Sequence, residues 1–162
     1  MDFIKTYFTA EKNESLIFII FGVLTIGFSV YVLLKWGDSF YRGFAIPAIL
    51  IGIIQIVVGS TVYFRTNKQI LQLEILYQQD EGAFAEVERP RMNKVMMNFS
   101  LFKKIEVAFV IVGLLLIVFS PDRQFWLGFG LGMLLQGALM LTADVFAERR
   151  GTTYLIEITN QH

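Results

Sequence analysis

The chain has no cysteine, one histidine and three prolines, and charged residues make up only 17% of it. Without cysteine there are no disulfides, thiolate metal sites or cysteine nucleophiles. The one histidine, His162, is the last residue, so neither a Ser/His/Asp set nor a histidine-based metal site has support. No phosphate-cradling glycine loop and no metal-ligand spacing occur either, and the expectation is a protein that is not an enzyme and carries no cofactor. Lysine and arginine together number 14, as do aspartate and glutamate. With no net charge, bulk electrostatics points to neither nucleic acid nor an anionic substrate. A cleavable signal peptide is not expected, because residues 1–14 carry three acids and two lysines and the apolar run behind them is too long.

What fills the space is apolar. Hydrophobic residues make up 55% of the 162, 16 of them phenylalanine, and the mean hydropathy is +0.57. The excess falls in four blocks, at about 15–34, 43–64, 105–120 and 125–147. A run of about 20 residues rising ~1.5 Å each spans about 30 Å of hydrocarbon. The first block has no charge, and Lys35 to Arg42, with Trp36 and Tyr41, closes it as an interfacial turn. The second has Pro47 in or just beyond its first turn and small residues at Ala48, Gly52 and Gly59. The third is short and carries Glu106; Ser120-Pro-Asp-Arg-Gln124 makes the second turn. The fourth contains Gly128-x-x-x-Gly132.

Of the 14 basic residues, only Lys35, Arg42 and Arg123 lie in the two short turns. The positive-inside rule therefore places both termini and segment 65–104 in the cytoplasm. That segment is the only long polar one. Ile70, Leu73 and Tyr77 continue the helical period of the second block, Asp80-Glu81-Gly82 should end it, and Arg89-Pro90 should break the chain again. Met92, Val95, Met96 and Phe99 then predict an amphipathic helix leading into the third block. Residues 1–14 read either as a short helix on the membrane surface or as a frayed end, and Thr152–Ile158 alternates enough for a strand but is too short to form one alone.

Two stretches repeat. Gly22-Val-Leu-Thr-Ile-Gly-Phe-Ser29 and Gly113-Leu-Leu-Leu-Ile-Val-Phe-Ser120 share G-x-L-x-I-x-F-S, and Ile53-Ile-Gln55 corresponds to Leu134-Leu-Gln136. A duplicated two-span hairpin would relate the copies by a two-fold axis along the membrane normal and bring Gln55 and Gln136 to similar depth.

The charged and amide side chains well inside the blocks are Gln55, Glu106, Gln136 and Asp144. A glutamine in hydrocarbon needs a partner, so Gln55 and Gln136 are expected to bond between helices. Glu106 and Asp144 have bases nearby, Lys103 and Lys104 for one and Arg149 and Arg150 for the other, and are expected to pair with them. The richest recognition cluster is Glu86, Glu88, Arg89, Arg91, Lys94 and Asn98 in the central segment. Its bases suit anionic headgroups; its acids suit a protein partner.

The expected fold is all-α: a single domain over 1–162 with four transmembrane helices as two tandem hairpins with helical cytoplasmic extensions. The expected setting is a bacterial inner (plasma) membrane. The leading functional expectation is a non-enzymatic accessory, assembly or immunity-type subunit that binds a protein partner through 65–104, in contact with membrane lipids and as a heteromer or homo-oligomer. A small oligomeric channel or transporter and an anionic-lipid-binding protein are the alternatives.

Overall fold

The computed structural model describes residues 2–160 as four helices in succession: α1 (Asp2–Lys35), α2 (Ser39–Gln79), α3 (Glu81–Phe119) and α4 (Gln124–Asn160). His162 lies outside the described residues. The connections are short and each has a local cause. Gly37 adopts φ +58°, a backbone angle that suits glycine, and its N–H donates to the Val32 carbonyl at 3.3 Å. Asp38 then caps α2, its carboxylate accepting the N–H groups of Phe40 and Tyr41 at 3.0 and 3.2 Å. Between α2 and α3 stands one residue, Asp80. Its N–H donates to the Leu76 carbonyl at 2.9 Å and its side chain accepts from the Ala83 N–H at 3.0 Å, so it ends one helix and starts the next. The expected break is thus at Asp80 alone, with Glu81 and Gly82 already in α3.

Three expectations are corrected. Residues 2–14 neither fray nor form a separate surface helix: they are the first turns of α1, and Ile4, Tyr7 and Phe8 are buried. Arg89-Pro90 does not interrupt α3. A proline inside a helix costs about 3 kcal/mol and orphans the carbonyl four residues back. Here that residue is Glu86, exposed like Pro90 itself, while Ala85, Glu88 and Met92 on the other face are buried and hold the helix together. The tail is not strand-like: it completes α4, and Gly151, Tyr154 and Ile158 are buried at helical spacing. Pro47 also sits further inside its helix than expected, because α2 begins at Ser39.

α1, α2 and α4 are each long and apolar enough to cross a membrane. α3 is as long but its apolar run is shorter: even its last 18 residues, 102–119, take in Lys103, Lys104 and Glu106.

α1 packs along α2, α3 along α4, and α2 against α4; the backbones of α1 and α3 stay apart. Glycines set the close contacts. A Cβ on Gly22 would lie 2.6 Å from the Gly52 carbonyl oxygen, and one on Gly113 would lie 2.7 Å from that of Gly130. Further along, Gly59 abuts the Ser15 carbonyl and Gly137 the Glu106 carbonyl. In the odd helices these paired contacts follow the register of the G-x-L-x-I-x-F-S match. In the even helices they do not: Gly52 and Gly130 are about one helical turn out of step with the alignment of Gln55 on Gln136. Between α2 and α4 the contact is reciprocal, Gly43 lying on the Phe125 carbonyl and Gly128 on the Phe40 carbonyl.

At the opposite end, which carries the first and last described residues and Asp80, the core is aromatic. Tyr7 stacks on Tyr154 at 4.3 Å, and Phe3 meets Tyr77 and Phe84 edge-on at 5.7 and 6.2 Å. All four helices contribute to this cluster, with Leu73, Met92 and Ile158 filling it.

Candidate functional site

Between the glycine contacts and the aromatic core lies a cavity of about 380 Å³, lined by all four helices on the side where α1 and α3 stay apart. That volume is within the range of about 300–1,000 Å³ common for small-molecule sites. Its walls are mostly apolar, and Ile54, Val58, Phe102 and Ile105, each roughly half exposed, form an apolar rim. Ser15 and Gly59 belong to the floor, where α1 and α2 are in backbone contact.

Gln55, Glu106, Gln136 and Asp144 are all buried, and Gln55, Glu106 and Asp144 line the cavity. Gln55 Nε2 donates to Gln136 Oε1 at 3.2 Å and lies 3.3 Å from Met140 Sδ; Gln136 Nε2 donates to Thr25 Oγ1 at 3.4 Å. The two glutamines therefore meet as expected, tying α1, α2 and α4 together. Gln55 Oε1 is left over, buried without a donor among the described residues.

The acids depart from expectation. Lys103 bonds Glu148 and Arg150 bonds Glu14, while Lys104 and Arg149 are exposed. Glu106 and Asp144 instead face one another across α3 and α4, close enough for their charges to interact, and both line the cavity. Glu106 Oε2 and Asp144 Oδ2 have no donor among the described residues. Two carboxyls facing each other in an apolar cavity repel when both are ionised, and a proton held between them relieves that repulsion. The bases on the same helices were drawn off by Glu148 and Glu14, which reach them with less burial.

The polar mouth of the cavity is built by α1. Tyr7, Glu11, Glu14 and Phe18 line it at helical spacing. Arg65 approaches Glu11 at 3.5 Å, yet burial raises the Glu11 carboxyl above its ordinary value, and Glu11 Oε2 has no donor among the described residues. Sequence reading missed these groups because it treated residues 1–14 as a separate lead. The signal was the stripe Tyr7, Glu11, Glu14, Phe18, which shares one helical face only if α1 starts at the terminus.

The central-segment cluster is divided. Glu88 is fully buried, accepting from Arg91 Nε and Nη2 at 2.7 and 2.6 Å and from the Tyr154 hydroxyl at 2.9 Å. Arg91 also lies 5.3 Å over the Phe8 ring. Burial, with Glu88 beside it, raises the Tyr154 hydroxyl well above the usual tyrosine range. Arg89 donates to the Ile158 carbonyl at 3.4 Å. Glu86, Lys94 and Asn98 are exposed. The structure thus uses Glu88 and Arg91 to join α3 to α4 and α1, and presents the other three outward.

No protein-family model matches the chain, and no curated protein or solved structure matches it.

Proposed function

We propose that this chain is a non-enzymatic, four-span protein of a bacterial inner membrane that binds an amphipathic molecule in the cavity between α1 and α3. In this reading the spans form two tandem hairpins with helical cytoplasmic extensions, and both termini are cytoplasmic. One observation carries it: a mostly apolar cavity with an exposed apolar rim contains buried carboxyl and amide oxygens without a donor among the described residues. Buried polar atoms of that kind are costly and are normally bonded, so they mark where a ligand's polar end belongs. The rim of Ile54, Val58, Phe102 and Ile105 supports access from the bilayer. A photo-crosslinking residue in place of Phe102 should capture small amphiphiles in cells, whereas one in place of Leu24, exposed on α1 away from the cavity lining, should give only bulk lipid. The same adduct pattern at both positions would sink the reading.

A second reading is a protein partner on the outward face of α3. It is favoured by Val87, Met97 and Leu101, which are exposed beside Glu86, Lys94 and Asn98. A crosslinker in place of Met97 should then yield one protein-sized adduct that Lys94→Glu abolishes. Adducts unchanged by that substitution would count against this reading.

A further inference from the structure

The cavity offers acceptors and few donors. Its buried oxygens without a donor among the described residues are Glu11 Oε2, Gln55 Oε1, Glu106 Oε2 and Asp144 Oδ2. The three deepest belong to side chains more than nine-tenths buried: Gln55 is 1% exposed, Glu106 4% and Asp144 8%. The basic groups nearby are committed, Arg150 to Glu14, Arg65 to Glu11 and Lys103 to Glu148. A phosphate or carboxylate ligand would bring acceptors to acceptors. A neutral hydroxyl brings one donor. A primary ammonium brings three donors, no acceptor and a charge opposite to that of the acids.

We propose that the cavity takes a primary ammonium group on an apolar body, its N–H groups held by Glu106, Asp144 and Gln55, in exchange for the proton that the carboxyl pair shares. This rests on the reading above that the cavity binds an amphipathic molecule. The charge balances. Before binding, one proton shared by two carboxylates leaves the pair with a single negative charge. When the ammonium enters, that proton leaves to bulk water, and two carboxylates with one cation carry the same charge. The site therefore keeps its electrostatic state in a low-dielectric setting where a net change would be costly. The groups facing the pair are Tyr7, Glu11 and Glu14 from α1, Lys103 from α3, and Glu148 and Arg150 from α4; α2 contributes the uncharged Gln55. Proton and ammonium compete, so affinity should fall as pH is lowered, by at most about tenfold per pH unit for one proton exchanged.

The test is titration calorimetry on the full chain in phosphatidylcholine nanodiscs, whose headgroups carry no N–H, with protein-free discs subtracted. Octylammonium should bind roughly ten- to a hundredfold more tightly than octanol, the usual gain of a charge-assisted bond. Its heat should vary with buffer ionisation enthalpy as release of about one proton requires. Glu106→Gln and Asp144→Asn, which keep side-chain size, should abolish the preference while octanol binding persists, which also shows that the variants are folded. Adding phosphatidylethanolamine separates two sources of the same chemistry: displacement of octylammonium identifies a lipid headgroup, and no displacement a free amine. Equal affinity for octanol and octylammonium overturns the ammonium assignment but leaves the cavity reading intact. Binding of neither overturns both, and tight octylammonium binding without proton release overturns the exchange.

Discussion

Where α2 and α4 leave their first turns they touch through Gly43 and Gly128, each seated on a carbonyl of the other helix. At the far end the same helices are joined through Leu73, Tyr154 and Ile158, with Phe3, Phe8 and Phe84 from their neighbours. The first contact brings backbones together and leaves no room for a side chain. The second fills the space between them with large side chains. In a bilayer, lipid tails are as apolar as leucine, so association there relies on close backbone packing and interhelical bonds. Outside it, burying large aromatic side chains from water again becomes the main driving force. The cavity with Glu106 and Asp144 lies between the two kinds of contact.

The largest effect should come from closing the glycine contact. Gly128→Leu drives a side chain into the Phe40 carbonyl, where only backbone movement can relieve it, and should cost more than about 4 kcal/mol or prevent recovery of a folded monomer. Size-exclusion and denaturation in mild detergent would show this; a folded variant of native stability would break the contrast between the two ends. Next is Tyr154→Ala, which removes a 2% exposed ring, its stack on Tyr7 and its bond to Glu88. It should cost about 3–5 kcal/mol. The loss should appear first as faster hydrogen exchange in residues 2–14 and 150–160, with the glycine end still protected. Uniform loss of protection would mean that the two ends form one cooperative unit.

A pH series sharpens the boundary. Burial raises the Glu11 carboxyl above 4.5, against the pull of Arg65. A raised value means that the folded chain holds this proton more tightly than the unfolded one. Its contribution to stability is therefore fully present below pH 4.5 and is lost as pH climbs through the folded value. Melting temperature should decline over that window and Glu11→Gln should flatten the decline; an unchanged slope would remove Glu11 as its source. The smallest effect is expected at Gly27, where a Cβ meets nothing within 4 Å. Gly27→Ala should be neutral or stabilise by up to about 1 kcal/mol, since alanine favours the helix. A loss as large as that of Gly128→Leu would show that glycine serves something other than close approach.

Much of this was legible in the chain itself. Apolar runs of membrane length dictated helices, because a backbone in hydrocarbon must satisfy its own hydrogen bonds. The helical period past Arg65 extended α2, and Asp80 announced its end by capping chemistry. Gln55 and Gln136 were picked out as needing partners, and they found each other. The misreadings have one origin. The Arg89-Pro90 break, the separate N-terminal lead and the strand-like tail were judged on local preference, and burial against other helices outweighed it: Ile4 and Phe8 held the start, Met92 the middle, Tyr154 and Ile158 the end.

By itself, then, the sequence determined four apolar helical runs, the extension of α2 past Arg65 and which polar side chains would be stranded among apolar ones, since those follow from hydrogen bonding and period along one segment. Only the tertiary structure decided who pairs with whom. Lys103 lies three residues from Glu106 and Arg150 six from Asp144, yet Glu148 and Glu14 take these bases, and the two buried carboxyls are left facing one another. Partner choice is a competition among all groups within reach in space, and sequence distance does not measure that reach.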